Sequence, residues 1–241
     1  MGENKGKDVT KDVASAPAGG LSSADDTARF LDAVKRAPGT AAGRGRLAFA
    51  LDATASRQPT WNLACEIQSG MFAAAARHGG LDMQIVYYRG LSECRASPFV
   101  GDAASLARLM GGISCEGGLT QINRVLSHLL SEAERSGLRA AVFVGDAMEE
   151  NEDRLHALAG QLALRGVRLF VFQEGDAPHV ERCFRALAAV TGGAYCRFDA
   201  RAAAQLRQLL EAVAAYAAGG RAALAARRDA GALKLIAALG G

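Results

Sequence analysis

Oxygen-bearing side chains in three separate stretches of the chain suit a single metal ion. The five residues are Asp52, Thr54, Ser56, Thr120 and Asp146. Carboxylate and hydroxyl oxygens are hard ligands that suit Mg²⁺, and Mn²⁺ or Ca²⁺ use similar oxygen ligands. We therefore expect a divalent-cation site at these five residues, with Mg²⁺ as the first candidate.

The segments around these residues alternate between strand-like and helix-like patterns. Short apolar runs predict strands over 47–51, 83–88, 140–144, 167–172 and 194–198, with an antiparallel edge strand within 93–100. Apolar residues at helical spacing predict helices over 61–77, 105–110, 120–136, 152–165, 178–190 and 203–217. This alternation is typical of the α/β class, a doubly wound, mostly parallel, Rossmann-like sheet with helices on both faces.

Such a sheet would bring the separate stretches together. Ligands of open parallel sheets bind beyond the carboxyl ends of the strands, where the strand order reverses. Asp52 and Asp146 each follow a predicted strand, so both face one crevice if those two strands are neighbours at the reversal point. Thr54 and Ser56 alternate with Asp52 along an extended stretch, which directs the three side chains to the same side.

This constellation resembles the metal-ion-dependent adhesion site of the von Willebrand factor type A (VWA) family, in particular of its intracellular bacterial members. The family pattern is Asp-x-Ser-x-Ser, then a Thr, then an Asp after a hydrophobic strand. Asp52, Thr54 and Ser56 match its first part with one change that keeps the hydroxyl, and Thr120 and Asp146 match the other two. The resemblance extends over most of the chain in the order and spacing of elements.

The resemblance implies how each residue would act. Thr54 and Ser56 would bind the metal directly, Asp52 would act mainly through water, and Thr120 would be a direct ligand in one state. Asp146 would complete the shell, leaving one position for an acidic side chain of a partner protein. By analogy with intracellular members of the family, the expected function is a non-enzymatic interaction module, and the same analogy suggests an ATPase-associated complex as its setting.

Two departures from the family pattern concern this site. The third element reads Gly145-Asp146-Ala147, where the family usually has Thr-Asp-Gly. Thr54 replaces a serine, and its extra methyl group stiffens the side chain. An alternative is therefore a VWA scaffold with a degenerate, metal-free site, in which Asp52 ends a strand and Thr120 is an ordinary helix N-cap.

Residues beside the proposed ligands could form a partner-binding rim. Arg57 and Gln58 follow Ser56 directly, while Glu149 and Glu150 follow Asp146 closely. For the first pair, solvated loop residues are the alternative. For the acidic pair, the alternative is a favourable interaction with a helix N-terminus.

Two other function classes find less support. A Mg²⁺-dependent phosphohydrolase using Asp52 as nucleophile would need a second Asp at position 54, which is Thr, and no lysine lies between Lys35 and Lys234. A nucleotide-binding module would need a glycine-rich phosphate loop after a strand, and none is found. The formal charge of +3 and the scattered basic residues also argue against a nucleic-acid partner.

The cysteines and histidines form no recognisable metal motif. The five cysteines make no CxxC pair and no Cys/His cluster with zinc spacing, so we expect reduced thiols, mostly small buried residues. The four histidines are isolated along the chain, and we expect surface positions or ordinary hydrogen-bonded positions on helices.

Four segments are predicted along the chain: a disordered tail over 1–20, a helical extension over 21–43, the VWA-like domain over 44–218 and a helical appendage over 219–241. The amino terminus lacks the apolar core of a signal peptide. No apolar stretch approaches the roughly 20 residues needed to cross a bilayer. We therefore expect a cytoplasmic protein without membrane contact.

Overall fold

A computed structural model describes residues 28–29, 44–76, 79–198 and 203–225. The predicted tail, almost all of the predicted helical extension and residues 226–241 of the predicted appendage lie outside the described residues.

Six strands form one sheet in the order β3-β2-β1-β4-β5-β6. All neighbouring strands are parallel except β2 and β3, which pair antiparallel at one edge. The strands are β1 Gly45–Asp52, β2 Leu81–Arg89, β3 Glu93–Ala96, β4 Ala140–Gly145, β5 Arg168–Glu174 and β6 Ala194–Phe198. The predicted fold class is thus confirmed, including the antiparallel edge.

Five α-helices and one 3₁₀ turn lie between these strands within the described residues, and a sixth helix follows β6. The 3₁₀ turn covers Ala55–Arg57, directly after β1. The helices are α1 Gln58–Ala76, α2 Ala103–Gly111, α3 Ile122–Arg135, α4 Glu152–Leu164, α5 Pro178–Val190 and α6 Ala203–Ala225.

The sheet is covered by a hydrophobic cluster on each face. Leu47, Phe49 and Leu51 of β1 point into the cluster that includes α1, α2 and α6. Ala48 and Ala50, which alternate with them, point into the cluster that includes α3, α4 and α5. Because both faces are buried, the strands can be apolar along their whole length, and the apolar residues must alternate between two cores.

Several element boundaries differ from the predicted ones for physical reasons. The edge strand β3 ends at Ala96, and Pro98, which cannot donate a ladder hydrogen bond, lies within the longer predicted run. Helix α1 begins at Gln58, three residues before the predicted start, with Pro59 in its first turn, where proline is tolerated. Helix α6 extends to Ala225 across a kink at Gly220, whose φ of 62° is a glycine conformation.

Helix α6 packs closely against the start of β1. A Cβ atom at Gly45 would lie 2.0 Å from the carbonyl oxygen of Ala217, so no larger residue fits there.

Among the described residues, no helix is long and apolar enough to cross a membrane.

Candidate metal site

The two predicted acidic positions lie at the carboxyl ends of neighbouring strands. Strands β1 and β4 pair in parallel, with Leu51 opposite Val144. Asp52 is the last residue of β1, and Asp146 directly follows β4. The strand order reverses at this pair, since β1 continues to β2 on one side and β4 to β5 on the other. The crevice at this reversal is where open α/β sheets bind ligands.

Three of the predicted ligands contact one another in this crevice. The Oγ1 atom of Thr54 lies 3.3 Å from the Oγ atom of Ser56. The Ser56 hydroxyl in turn donates a hydrogen bond of 3.2 Å to Oδ2 of Asp146. The sequence Thr54–Ser56 turns towards β4 because a 3₁₀ turn begins at Ala55.

Asp52 lies deeper than these three residues, with only 3% of its surface exposed. Its Oδ1 atom accepts a 2.8 Å hydrogen bond from the backbone N–H of Thr54, which fixes the start of the loop. Burial raises the pKa of the Asp52 carboxyl, the Thr54 hydrogen bonds lower it, and the nearby charge of Asp146 raises it further. Charged Asp52 is therefore disfavoured unless a cation compensates it.

Tyr88 at the end of β2 closes the crevice beneath Asp52. Its side chain is fully buried. Burial raises the pKa of the Tyr88 phenol well above its ordinary value, and the charge of Asp52 raises it further. The phenol therefore stays protonated, and its buried hydroxyl has no hydrogen-bond partner among the described residues.

We expect Asp52→Asn to raise the free energy of unfolding in chelator at pH 7. The pKa of Asp52 is higher in the folded state, so its stabilising contribution is complete below the unfolded pKa and is lost as pH rises through the folded pKa. Asparagine keeps the acceptor for Thr54 without the charge. Urea unfolding of both proteins, with Asp176→Asn as an exposed control, measures the difference. A less stable Asp52→Asn protein in chelator would contradict the expectation.

Thr120 lies in the segment before α3 and is linked to the same β4–α4 loop as Asp146. Its Oγ1 accepts a 3.2 Å hydrogen bond from the backbone N–H of Glu149. Its own N–H donates to the Glu149 carboxylate at 3.4 Å. Helix α3 begins two residues later at Ile122, so Thr120 is not its N-cap. The structure therefore places Thr120 beside the loop that carries Asp146.

A close approach of two loops fixes the segment before Thr120. A Cβ atom at Gly118 would lie 2.1 Å from the carbonyl oxygen of Gly90, which only glycine avoids. The N–H of Leu119 donates a 3.1 Å hydrogen bond to the same oxygen. Gly118 thus meets a steric need at the rim of the crevice, whereas a Cβ atom at Gly117 would have no neighbour within 4 Å.

Arg57 was predicted on the partner-binding rim, with a solvated loop residue as the alternative, but the structure buries its side chain. Only 2% of its side chain is exposed. Its guanidinium pairs with Glu174 at the end of β5, and Nη1 lies 3.9 Å from Oδ2 of Asp146. The 3₁₀ turn directs the side chain inwards, where a buried cation needs a carboxylate partner. Arg57 is therefore part of the floor of the crevice.

The other three predicted rim residues, Gln58, Glu149 and Glu150, each make a different contact. Gln58 is exposed and donates a 2.9 Å hydrogen bond to Asn62 one turn along α1. Glu149 is exposed and contacts Thr120 as described above. Glu150 is half-buried, and its carboxylate accepts hydrogen bonds from the backbone N–H groups of Ile122 and, at 3.0 Å, Asn123. Glu150 therefore caps the first turn of α3, although the helix that follows Glu150 along the chain is α4.

Replacing Glu150 by alanine should lower the free energy of unfolding by about 1 kcal/mol, the usual contribution of a helix cap. Two N–H groups in the first turn of α3 would lose their acceptor. Urea unfolding measures the effect, with Glu149→Ala as the matched control of equal charge. Equal losses in the two variants would contradict the capping role.

The residues of the crevice fit a hard divalent cation. The donor set consists of carboxylate and hydroxyl oxygens only. The oxygen separations of 3.2 and 3.3 Å are close to the roughly 3 Å between adjacent ligands of an octahedral ion at its usual distances. A cation would also compensate the buried charge of Asp52.

Comparisons with known proteins identify the fold. No protein-family model matches this sequence, and no curated protein matches it. An aerotolerance-related membrane protein from Bacteroides fragilis superposes with a TM-score of 0.55 at 16% identity, covering 70% of this chain and 98% of that chain. The SpRpn10 VWA domain gives a TM-score of 0.52 at 12% identity, covering 73% and 97%.

A third solved structure resembles the chain and holds a metal. Proximal thread matrix protein 1 from the mussel byssus, with a zinc-occupied metal-ion-dependent adhesion site, gives a TM-score of 0.54 at 12% identity. The match covers 71% of this chain and 46% of that chain, so it concerns about half of the mussel protein. Together these matches show that the chain has the VWA fold.

Sequence reasoning missed the ion-pair network beneath the crevice. Glu174 contacts both Arg57 and the hydroxyl of Thr60. The available signal was the position of Glu174 at the end of β5, the strand beside β4, because carboxyl ends of parallel strands share one edge.

Cys115 lies near Asp52, and burial raises the pKa of its thiol, so it is not an activated nucleophile.

Proposed function

We propose that this protein is a divalent-cation-dependent protein-interaction module. The observation that carries the proposal is the contact of Thr54, Ser56 and Asp146 at the carboxyl ends of two adjacent strands. Their oxygens would bind Mg²⁺, with Asp52 acting through water and Thr120 joining in one state. Mn²⁺ or Ca²⁺ could replace Mg²⁺, since both accept oxygen ligands.

The proposed partner presents an acidic residue that completes the metal shell. The VWA neighbour with zinc in its adhesion site supports a metal role for this crevice. Two exposed leucines lie on the loops beside it: Leu91 is 79% exposed and Leu119 is 53% exposed. Exposed apolar residues next to a polar site are typical of interaction surfaces. The favoured ligand is therefore an acidic residue flanked by apolar ones. We place this ligand on a cytoplasmic protein and, by analogy, within an ATPase-associated complex.

Selection from a random peptide library tests the proposal. Immobilised protein with Mn²⁺ should retain peptides that contain Asp or Glu, and chelator should release them. Leu119→Ser should weaken the selected peptides about tenfold without affecting the metal, as expected for a contact residue. Enrichment that is insensitive to chelator, or equal on an Asp146→Ala protein, would refute the metal-dependent mode.

An enzymatic function is the weaker candidate. A phosphohydrolase would need Asp52 to reach its substrate, yet this carboxylate is nearly buried and accepts a hydrogen bond from its own loop. The position of a second catalytic carboxylate is occupied by Thr54. We therefore assign no catalytic residue in this crevice.

A further inference from the structure

Three side chains of the kinds that bind transition metals meet between α4 and α5. Glu152 and His156 lie four residues apart on α4, which places them on the same helix face. Cys183 lies on α5, which packs beside α4. One ligand atom from each of the three residues lies within 4.8 Å of those of the other two.

His156 is the reason to regard this cluster as more than a chance arrangement. Its Nε2 atom is buried and has no hydrogen-bond partner among the described residues. A buried polar atom without a partner costs free energy, so such atoms are rare in folded proteins. Cys183 is buried as well, whereas Glu152 is exposed and opens the cluster to solvent. A cation that enters past Glu152 and binds His156 through Nε2 would supply the missing partner.

We propose that Glu152, His156 and Cys183 form a Zn²⁺ site that fastens α4 to α5. Zn²⁺ accepts thiolate sulfur, imidazole nitrogen and carboxylate oxygen, and this mixed set does not suit Mg²⁺. Three protein ligands leave the fourth tetrahedral position to water. Ligand atoms of such a site lie about 3.5 Å apart. Since the three ligand atoms lie within 4.8 Å of one another, the groups need to approach by no more than about 1.3 Å.

Zn²⁺ binding replaces one bond at the Cys183 sulfur and changes no oxidation state. The S–H bond of Cys183 breaks, a Zn–S bond forms, and the proton passes to solvent. Burial raises the pKa of this thiol to about 11, so it is protonated until a metal displaces the proton. Glu152 begins α4, directly after the loop with Asp146, so the ion would also anchor that loop.

Cobalt titration of the reduced, chelator-stripped full chain tests the site, because Co²⁺ reports its ligands by absorption. One equivalent of Co²⁺ should give a thiolate charge-transfer band and the visible bands of tetrahedral cobalt, and Zn²⁺ should abolish both. Cys183→Ala should lose the charge-transfer band. His156→Gln keeps a side chain of similar size and should weaken Co²⁺ binding at least about tenfold.

Two controls separate this site from the oxygen site and from other thiols. Asp52→Ala and Cys94→Ala should both retain the cobalt spectrum, since neither residue belongs to the cluster. A wild-type protein without a thiolate band would overturn the proposal. So would an unchanged band in Cys183→Ala or an unchanged Co²⁺ affinity in His156→Gln, and neither result depends on the proposed interaction function.

Discussion

Replacing Asp146 by alanine is expected to weaken Mn²⁺ binding at the oxygen site at least about 100-fold, because the shell loses its carboxylate beside the two hydroxyls. Ser56 would also lose its hydrogen-bond acceptor, which now holds it 3.2 Å from Asp146. Electron paramagnetic resonance of free Mn²⁺ measures the affinity directly, because bound Mn²⁺ leaves the free-ion signal.

The matched control for this variant is Asp153→Ala. Asp153 is an exposed carboxylate in the first turn of α4, so its loss makes the same change in net charge away from the crevice. Mn²⁺ affinity should stay within about twofold of wild type in this control, as expected for a screened surface charge. An equal loss in both variants would show that binding depends on overall charge and that Asp146 is no ligand.

Replacing Arg57 by methionine should lower the free energy of unfolding by about 3 kcal/mol, the range for removing one partner of a buried ion pair. Arg57 is almost fully buried, and its partner Glu174 is only 24% exposed, so the remaining carboxylate cannot be well solvated. Methionine fills a similar volume, which limits the part of the loss that comes from a cavity. Urea unfolding in chelator measures the change.

Arg57→Met should also bind Mn²⁺ more tightly than the wild type. In the wild type the Arg57 guanidinium lies 3.9 Å from Asp146 and repels a second cation, and the variant lacks this group. Stability and metal affinity would thus change in opposite directions, which a general loss of structure cannot produce. Gln58→Ala is the control, since this neighbouring side chain is exposed and its hydrogen bond goes to Asn62, one turn along the same helix. A stable Arg57→Met protein would contradict the buried ion pair.

The arrangement of the sheet could be predicted from sequence because its strands are short apolar runs that end at polar residues. The runs before Asp52 and Asp146 predicted two strands, and the rule for open sheets predicted where their ends meet. That the two strands are neighbours depends on tertiary packing, which the structure supplies: β1 and β4 are paired directly. Metal binding by the five residues stays a prediction.

Other features could not be predicted because they arise from contacts between distant elements. Arg57 was predicted on the partner-binding rim because it directly follows Ser56, but its partner Glu174 is the last residue of β5, two strands away from β1. The cluster of His156 and Cys183 joins two helices, so no spacing within the sequence marks it. In both cases the feature depends on the distance between side chains of separate elements, which the sequence alone does not give.

Calorimetric titration of the chelator-stripped wild-type protein with Mg²⁺ shows directly whether the crevice binds a metal ion. The site described here predicts saturable binding of one ion, lost in Asp52→Ala and in Asp146→Ala. Mg²⁺ distinguishes this site from the sulfur-containing cluster, which does not suit a hard cation. No saturable binding of Mg²⁺ in the wild type, or binding unchanged in both variants, would contradict a metal-dependent function for this crevice.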